Sequence, residues 1–261
     1  MQTQAIVDHI VQWLSEYVDQ SGLQGFVVGV SGGIDSAVTS TLCARTGKAV
    51  KALNMPICQA ADQVGRSTGH IDWLQARHAN VEGLTIDLTP AFEALQTTLP
   101  KGIQDDLSMA NTRSRLRMLT LYGVSTHHRM LVAGTGNKVE DFGVGFYTKY
   151  GDGGVDLAPI ADLMKSEVYA LARHLEIIDA IIQAPPTDGL WNDNRSDENQ
   201  IGASYDELEW AMAFDAGQGS ENRLDDRQRE VLAIYRNFNR INRHKMMPIP
   251  VCTIPDRLKI P

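Results

Sequence analysis

The sequence has few cysteines: Cys43, Cys58 and Cys252 are the only three in 261 residues, and no two form a CxxC pair. That excludes a disulfide framework and a zinc site of the usual ligand spacing. A reducing cytoplasm is the simplest compartment for such a chain. Basic charge is not in excess either. Twenty-four Lys and Arg stand against 32 Asp and Glu, a formal net charge of −8. General affinity for nucleic acid needs basic surface to displace counterions, so no nucleic-acid partner is expected. No run of about 18 apolar residues occurs, which leaves no candidate helix for spanning a membrane. The first residues carry Asp8, Glu16 and Asp19 and lack the basic stretch of a secretory signal. Internal repeats and low-complexity tracts are missing as well. With 43% apolar and 21% charged residues, the composition is globular and not disordered or fibrous.

What is present is a regular alternation. Ile6, Ile10, Trp13, Leu14 and Tyr17 recur at helical spacing and predict an amphipathic helix over 3–19. Strands are predicted at Gly25–Val30, Ala49–Ile57, Val81–Leu88 and Arg129–Ala133. Helices are predicted at Ser36–Thr46, Asp62–Arg77, Pro90–Leu99 and Leu107–His128. The strands show little polar alternation, as in a parallel sheet covered on both faces. The expected fold class is α/β: a doubly wound, mostly parallel sheet, in a single domain over 1–261 with its core at 25–185. Right-handed crossovers gather the strand C-termini along one edge, where open α/β sheets bind ligands. Further on, Lys165–Leu175 and Asp225–Lys245 read as helices. The polar stretch 188–203 reads as a mobile loop, either plain surface or a lid that shields a reactive species from water. In the C-terminal part, 204–261, the proline-rich tail reads as a packed extended strap.

The densest chemical signal is Ser31-Gly32-Gly33-Ile34-Asp35-Ser36, between a predicted strand and a predicted helix. Two glycines let the backbone approach a ligand closely. The first N–H groups of the helix, beside the positive end of its dipole, form a ready phosphate site. Asp35 is anomalous in a phosphate cradle unless a magnesium ion stands between carboxylate and phosphate. The plainer reading is an N-cap aspartate after a glycine turn. Neither GxxxxGK[ST] nor GxGxxG is present. On the long helix, Arg113 and Arg117 share a face and read as solvated. Arg115 lies beside an apolar stripe and needs an anion, from a ligand or an internal carboxylate. Gly145–Lys165 is rich in glycine and alternating charge, and Lys149, Asp152, Asp156 and Lys165 there are surface charges or site residues. The histidines outside the late RHK read as surface or capping residues.

SGGIDS resembles the signature of PP-loop ATP pyrophosphatases, which cleave ATP between its α- and β-phosphates. With GTGNKVE, YTKYGDGG, PIADLMK and the late RHK, the chain resembles the ammonia-dependent NAD synthetases over nearly its whole length. The resemblance implies that Gly29, Val30, Ser31, Gly32, Gly33, Ile34, Asp35 and Ser36 bind ATP, with Thr135, Lys165 and Thr187. It places Mg²⁺ on Asp35 and Glu140, with Asp141 the alternative to Glu140. It places deamido-NAD on Arg115, Lys149, Asp156, His244 and Lys245. It also implies a homodimer whose dinucleotide site reaches across the interface.

The implied reaction amidates the nicotinate carboxylate through an acyl-adenylate. Lys165 supplies charge at the phosphates, and Asp156 is the expected acceptor of the ammonium proton. About 25 residues precede the first strand, too few for a glutamine-hydrolysing domain, so free ammonia is the expected nitrogen source. The rival readings are a tRNA-modifying ligase of the same class and a non-catalytic nucleotide sensor. The first lacks a basic surface here; the second does not need Asp35, Glu140, Lys149 and Lys165 together.

Overall fold

The chain opens with α1 (Thr3–Ser21), which leads into β1 (Gly25–Gly29), α2 (Ile34–Arg45), β2 (Ala49–Asn54), α3 (Ala61–Arg77) and β3 (Val81–Thr85). Then come α4 (Thr89–Thr98), α5 (Asp106–His128) and β4 (Leu131–Val132). In this computed structural model the described residues are 1–59, 61–187, 189–190, 196–218 and 221–259. The described strands form one parallel sheet in the order β3-β2-β1-β4. Gly25 pairs with Ala49 and Phe26 with Leu131, so β1 is central. Its reversal of strand order puts the β1–α2 turn at the switch point of the sheet.

Both faces are covered, as the unbroken apolar strands require. Phe26 and Val28 point into a cluster with Leu14 of α1, Leu42 of α2 and Leu171 of the later helix α6 (Lys165–His174). Val27 and Leu53 point the other way, onto Phe92 of α4 and Met118 and Leu121 of α5. Each such side chain contributes about 1.5–3 kcal/mol on burial. Gly25 has φ 152°, and a Cβ there would lie 1.9 Å from the Ala49 carbonyl oxygen, so only glycine admits β2 at this register.

The strands are shorter than their apolar runs. β2 stops at Asn54 because Pro56 has no N–H to continue the ladder. β4 spans two residues, and the chain beside it is completed by an isolated bridge between Ala133 and Leu157. Beyond α6 lie α7 (Asp179–Ile182), α8 (Asp197–Ile201), α9 (Tyr205–Ala213) and α10 (Asp226–Met246). With a π-helical turn at Val139–Val144, α9 and α10 enclose a third apolar cluster around Leu208, Val231 and Tyr235.

Three expectations need correction. Part of the predicted mobile loop is helix α8, capped by Ser196 Oγ accepting from the Asn199 N–H at 3.1 Å. Residues 188 and 191–195 of that loop lie outside the described residues. The tail does not pack as a strap on its own chain: residues 247–259 are exposed, including Ile249 and Val251.

His70 is not at the surface either. It is fully buried between α2 and α3, its Nε2 lies 3.1 Å from Ser40 Oγ, and its ring stacks on Trp73. Burial pushes its pKa down to about 4. A histidine held neutral in the fold binds its proton more readily when unfolded. Its stability contribution is therefore complete above about pH 6.5 and lost as the pH falls towards 4, at up to about 1.4 kcal/mol per unit. Urea unfolding between pH 7 and 4.5 is expected to show this slope, and His70→Gln to flatten it.

Candidate active site

The β1–α2 turn is built by its own side chains. Gly32 takes φ 83°, and Ser36 Oγ donates to the Gly33 carbonyl at 2.9 Å and accepts from the Ser31 N–H at 3.2 Å. Ser67 Oγ of α3 donates to the Val30 carbonyl at 2.6 Å, pinning the strand end. The first N–H groups of α2 then remain outside the intrahelical ladder and face the carboxyl edge of the sheet. A cleft opens there. Its wall includes Gly29 through Ser36, Thr135, Glu140, Lys165 and Thr187. Every residue assigned above to ATP or magnesium therefore lies on one cleft, brought from four separate segments.

Lys165, 3% exposed at the start of α6, is the centre of charge. Its Nζ lies 2.5 Å from Asp35 Oδ2 and 3.0 Å from Glu140 Oε1. Burial alone would lower the lysine pKa, but the two carboxylates hold it well above its ordinary value. Burial raises Asp35, against the attraction of Lys165. Burial also opposes ionisation of Glu140, yet Lys165 and the hydrogen bonds from Tyr205 and Asn137 hold it below the usual carboxylate range. Asn137, fully buried, organises the turn: its Oδ1 accepts from the N–H groups of Val139 and Glu140, each at 3.1 Å, and its Nδ2 donates to Asp35 Oδ1 at 3.3 Å.

Asp141 also lines the cleft but points elsewhere, against Gly136, where a Cβ would fall 2.1 Å from its Oδ1. Burial first, then the charges of Glu140, Asp152 and Asp35, push Asp141 up to about 8. Of the two, it is Glu140 that meets the Lys165 ammonium together with Asp35.

Four placements differ from expectation, those of Asp156, Arg113, Arg115 and Arg117. Asp156 is not on the cleft wall. Its Oδ2 accepts from the Val132 N–H at 2.8 Å and its Oδ1 from the Tyr122 hydroxyl at 2.9 Å, so both oxygens tie the sheet edge. Asp152 does face the cleft, with its Oδ1 accepting from Ser114 Oγ at 2.6 Å and from the Thr148 N–H at 3.1 Å. On α5 it is Arg117 that lines the cleft, donating from Nε to the Met55 carbonyl at 3.0 Å. Arg113 is not simply solvated: its Nη1 donates to the Leu190 carbonyl at 3.1 Å and its guanidinium lies over Phe92. Arg115 is exposed, and its Nε meets the Lys149 carbonyl at 3.2 Å, a neutral partner in place of an anion.

Arg115 belongs to a second cluster. Lys149 Nζ donates to the His244 carbonyl at 2.8 Å, and Lys245 Nζ donates to the carbonyls of Gly145 and Tyr147 at 2.9 and 2.8 Å. The residues assigned to deamido-NAD, apart from Asp156, thus assemble where α10 meets the 145–149 loop, off the cleft wall. Tyr205 and Asp197 were not anticipated. Both are buried, Tyr205 against Glu140 and Asp197 against the Tyr205 hydroxyl, and neither sits in a motif.

A switch-point turn with outward amides and a buried Lys–Asp–Glu centre defines an α/β protein whose cleft lies at the carboxyl edge of a parallel sheet, where such folds bind phosphorylated ligands. The comparisons narrow that class. The NAD synthase family model matches residues 6–248, and the chain belongs to that family. It is 34% identical to the NH(3)-dependent NAD(+) synthetase of Syntrophomonas wolfei, over 99% of this chain and 100% of the relative. Among solved structures it is similar to an NMN synthetase from Francisella tularensis, at TM-score 0.85 and 29% identity, covering 97% of this chain and 100% of that one. It is also similar to an NH3-dependent NAD synthetase from Campylobacter jejuni, at TM-score 0.79 and 29% identity, with 97% and 100% covered.

Proposed function

We propose that this protein is a ligase that amidates the nicotinate carboxylate of deamido-NAD with ammonia, converting ATP to AMP and pyrophosphate. The observation that carries the reading is the convergence of Asp35, Glu140 and Lys165 beside the β1–α2 turn, in a chain of the NAD synthase family. A carboxylate is a poor acyl donor because oxide is a poor leaving group. Transfer to the α-phosphorus of ATP gives an acyl-adenylate, from which AMP departs when ammonia attacks.

The first step brings anions together, so positioned positive charge dominates it. The turn amides and Ser31 hold the diphosphate, and Lys165 donates to phosphoryl oxygens. Magnesium fits the donor set, because Asp35 Oδ2 and Glu140 Oε1 are hard oxygens that already converge on one cation, the Lys165 ammonium. Bound there, it would offset phosphate charge. For the second step, Asp152 is assigned in place of Asp156 as acceptor of the ammonium proton, since its carboxylate opens on the cleft.

The second cluster, with Arg115, Lys149, His244 and Lys245, is assigned to the dinucleotide of an adjoining subunit in a homodimer. Exposed Leu107 and Leu119 on α5 and exposed Ile249 and Val251 in the tail support a covering second copy. Among the described residues no helix is long and apolar enough to cross a membrane. Free cysteines at 43, 58 and 252 support a cytoplasmic setting.

The test supplies ATP, Mg²⁺, deamido-NAD and ammonium. AMP, pyrophosphate and amide are expected in equal amounts, with no product on tRNA. AMP formation that needs no dinucleotide would overturn the reading. A second reading has one observation behind it, the TM-score of 0.85 to a chain described as an NMN synthetase. Nicotinate mononucleotide carries the same carboxylate. A preference of about tenfold or more in kcat/KM for deamido-NAD is expected, about 1.4 kcal/mol of differential transition-state binding. The reverse preference would install the mononucleotide as substrate.

A further inference from the structure

Tyr205 begins α9, and its position there is rigid. The Ser204 and Glu207 side chains cap the helix reciprocally, Arg227 of α10 clamps Glu207 at 2.7 Å, and the Tyr205 N–H donates to Glu198 Oε1 at 2.9 Å. The phenol is 5% exposed. Its hydroxyl lies 2.5 Å from Glu140 Oε1 and 3.3 Å from Asp197 Oδ2, and Lys165 Nζ lies 4.7 Å from its ring centroid. One side chain therefore touches both members of the Glu140–Lys165 pair and an acid of α8.

A phenol has one proton to give, and an ionised carboxylate only accepts, so the proton goes to the nearer oxygen, that of Glu140. Glu140 Oε1 is thus held twice, by Tyr205 and by Lys165. These two holds differ in kind. Lys165 is a long, flexible cation that also serves the phosphates. Each proton it gives to a phosphoryl oxygen is one it cannot give to Glu140. The phenol sits on a capped helix and has no such second task. We propose that Tyr205 is a positioning residue of the reaction: its hydroxyl keeps the Glu140 carboxylate oriented for a divalent cation once Lys165 has turned to the nucleotide. This rests on the reading of Asp35 and Glu140 as the magnesium carboxylates.

The test is Tyr205→Phe in the full chain, which keeps the ring against Lys165 and removes one oxygen. Mn²⁺ is the probe, titrated by electron paramagnetic resonance in the presence of a non-hydrolysable ATP analogue. The variant is expected to bind Mn²⁺ about tenfold more weakly, the scale of loss when a group that orients a metal ligand is removed. Its kcat is expected to fall and to recover partly at high Mg²⁺, with the KM for deamido-NAD unchanged. Thermal melts fix the folded fraction at which the two proteins are compared. Equal Mn²⁺ affinity in variant and wild type overturns the proposal alone. So does a loss of analogue binding of the same size when EDTA removes the metal, which would mark a general packing role. Absence of Mn²⁺ binding in the wild type overturns the carboxylate reading, and the proposal with it.

Discussion

Lys165→Met is expected to lower kcat/KM by about 10³-fold or more, the scale seen when a preorganised charge at a reacting centre is removed. The substitution keeps an unbranched apolar stem out to Cε and removes the terminal ammonium with its charge and donors. In the wild type that charge sits between Asp35 and Glu140, whose side chains are 16% and 17% exposed. Without it the two carboxylates face each other in a partly dry cleft. Removing one partner from a buried ion pair costs about 3–5 kcal/mol, and solvent at the cleft mouth puts this site at the lower end.

The sign of the pH dependence follows. With Lys165 gone, burial and mutual repulsion raise both carboxyl pKa values above those of the unfolded chain. Stability from their neutral forms is present below the unfolded value, near pH 4, and lost as the pH rises through the folded values. The variant should therefore melt close to wild type near pH 4.5 and well below it at pH 8. Mg²⁺ should restore more stability to the variant than to the wild type. A variant with wild-type melting at pH 8 would mean that Lys165 does not neutralise this pair.

Gly32→Ala is the second change with a large expected effect. At φ 83° an L-residue is strained by about 1–3 kcal/mol. The new Cβ would also lie 3.0 Å from the Gln63 carbonyl oxygen and 3.1 Å from both Arg66 Cβ and the Ser67 nitrogen. Two of those neighbours are backbone of α3, so the turn itself must give way. Positioning within a site is unforgiving: a shift of about 1 Å costs about 10²-fold in rate. The expected result is a rise in KM for ATP of about 10–100-fold with deamido-NAD affinity retained. Calorimetry with an ATP analogue reads it directly. Unchanged nucleotide affinity in Gly32→Ala would remove this turn from the phosphate site, and the function built on it.

Much of this was legible along the chain. Apolar runs without polar alternation, such as FVV in β1, announce strands buried on both faces, and here Phe26 and Val28 go one way and Val27 the other. Periodicity placed α1, α3, α5 and α10 to within two residues at either end, because one buried stripe repeats along each helix. The turn at Gly32 was legible because its requirement is local: glycines where the backbone bends, and a helix start directly after them.

What was not legible is what depends on distance through space. Arg117 and Arg115 are two residues apart on α5, and nothing in their spacing says which faces the cleft. The packing of α5 against β1 decides it. Asp152 and Asp156 lie in one glycine-rich stretch, and the bridge between Ala133 and Leu157 holds Asp156, itself exposed, against the sheet edge. The tail, with its prolines, resembled a strap because apolar residues usually find cover, and in the single chain Ile249 and Val251 have none.

By itself, the sequence determined the class of sheet, the glycine turn ahead of α2 and the family, since each depends on residues adjacent or in phase along one element. The tertiary structure alone decided which charges meet. Lys165 joins Asp35 across 130 positions and Tyr205 reaches Glu140 across 65. Hydrogen bonding and charge act over a few ångströms, and only the folded backbone turns separation along the chain into separation in space.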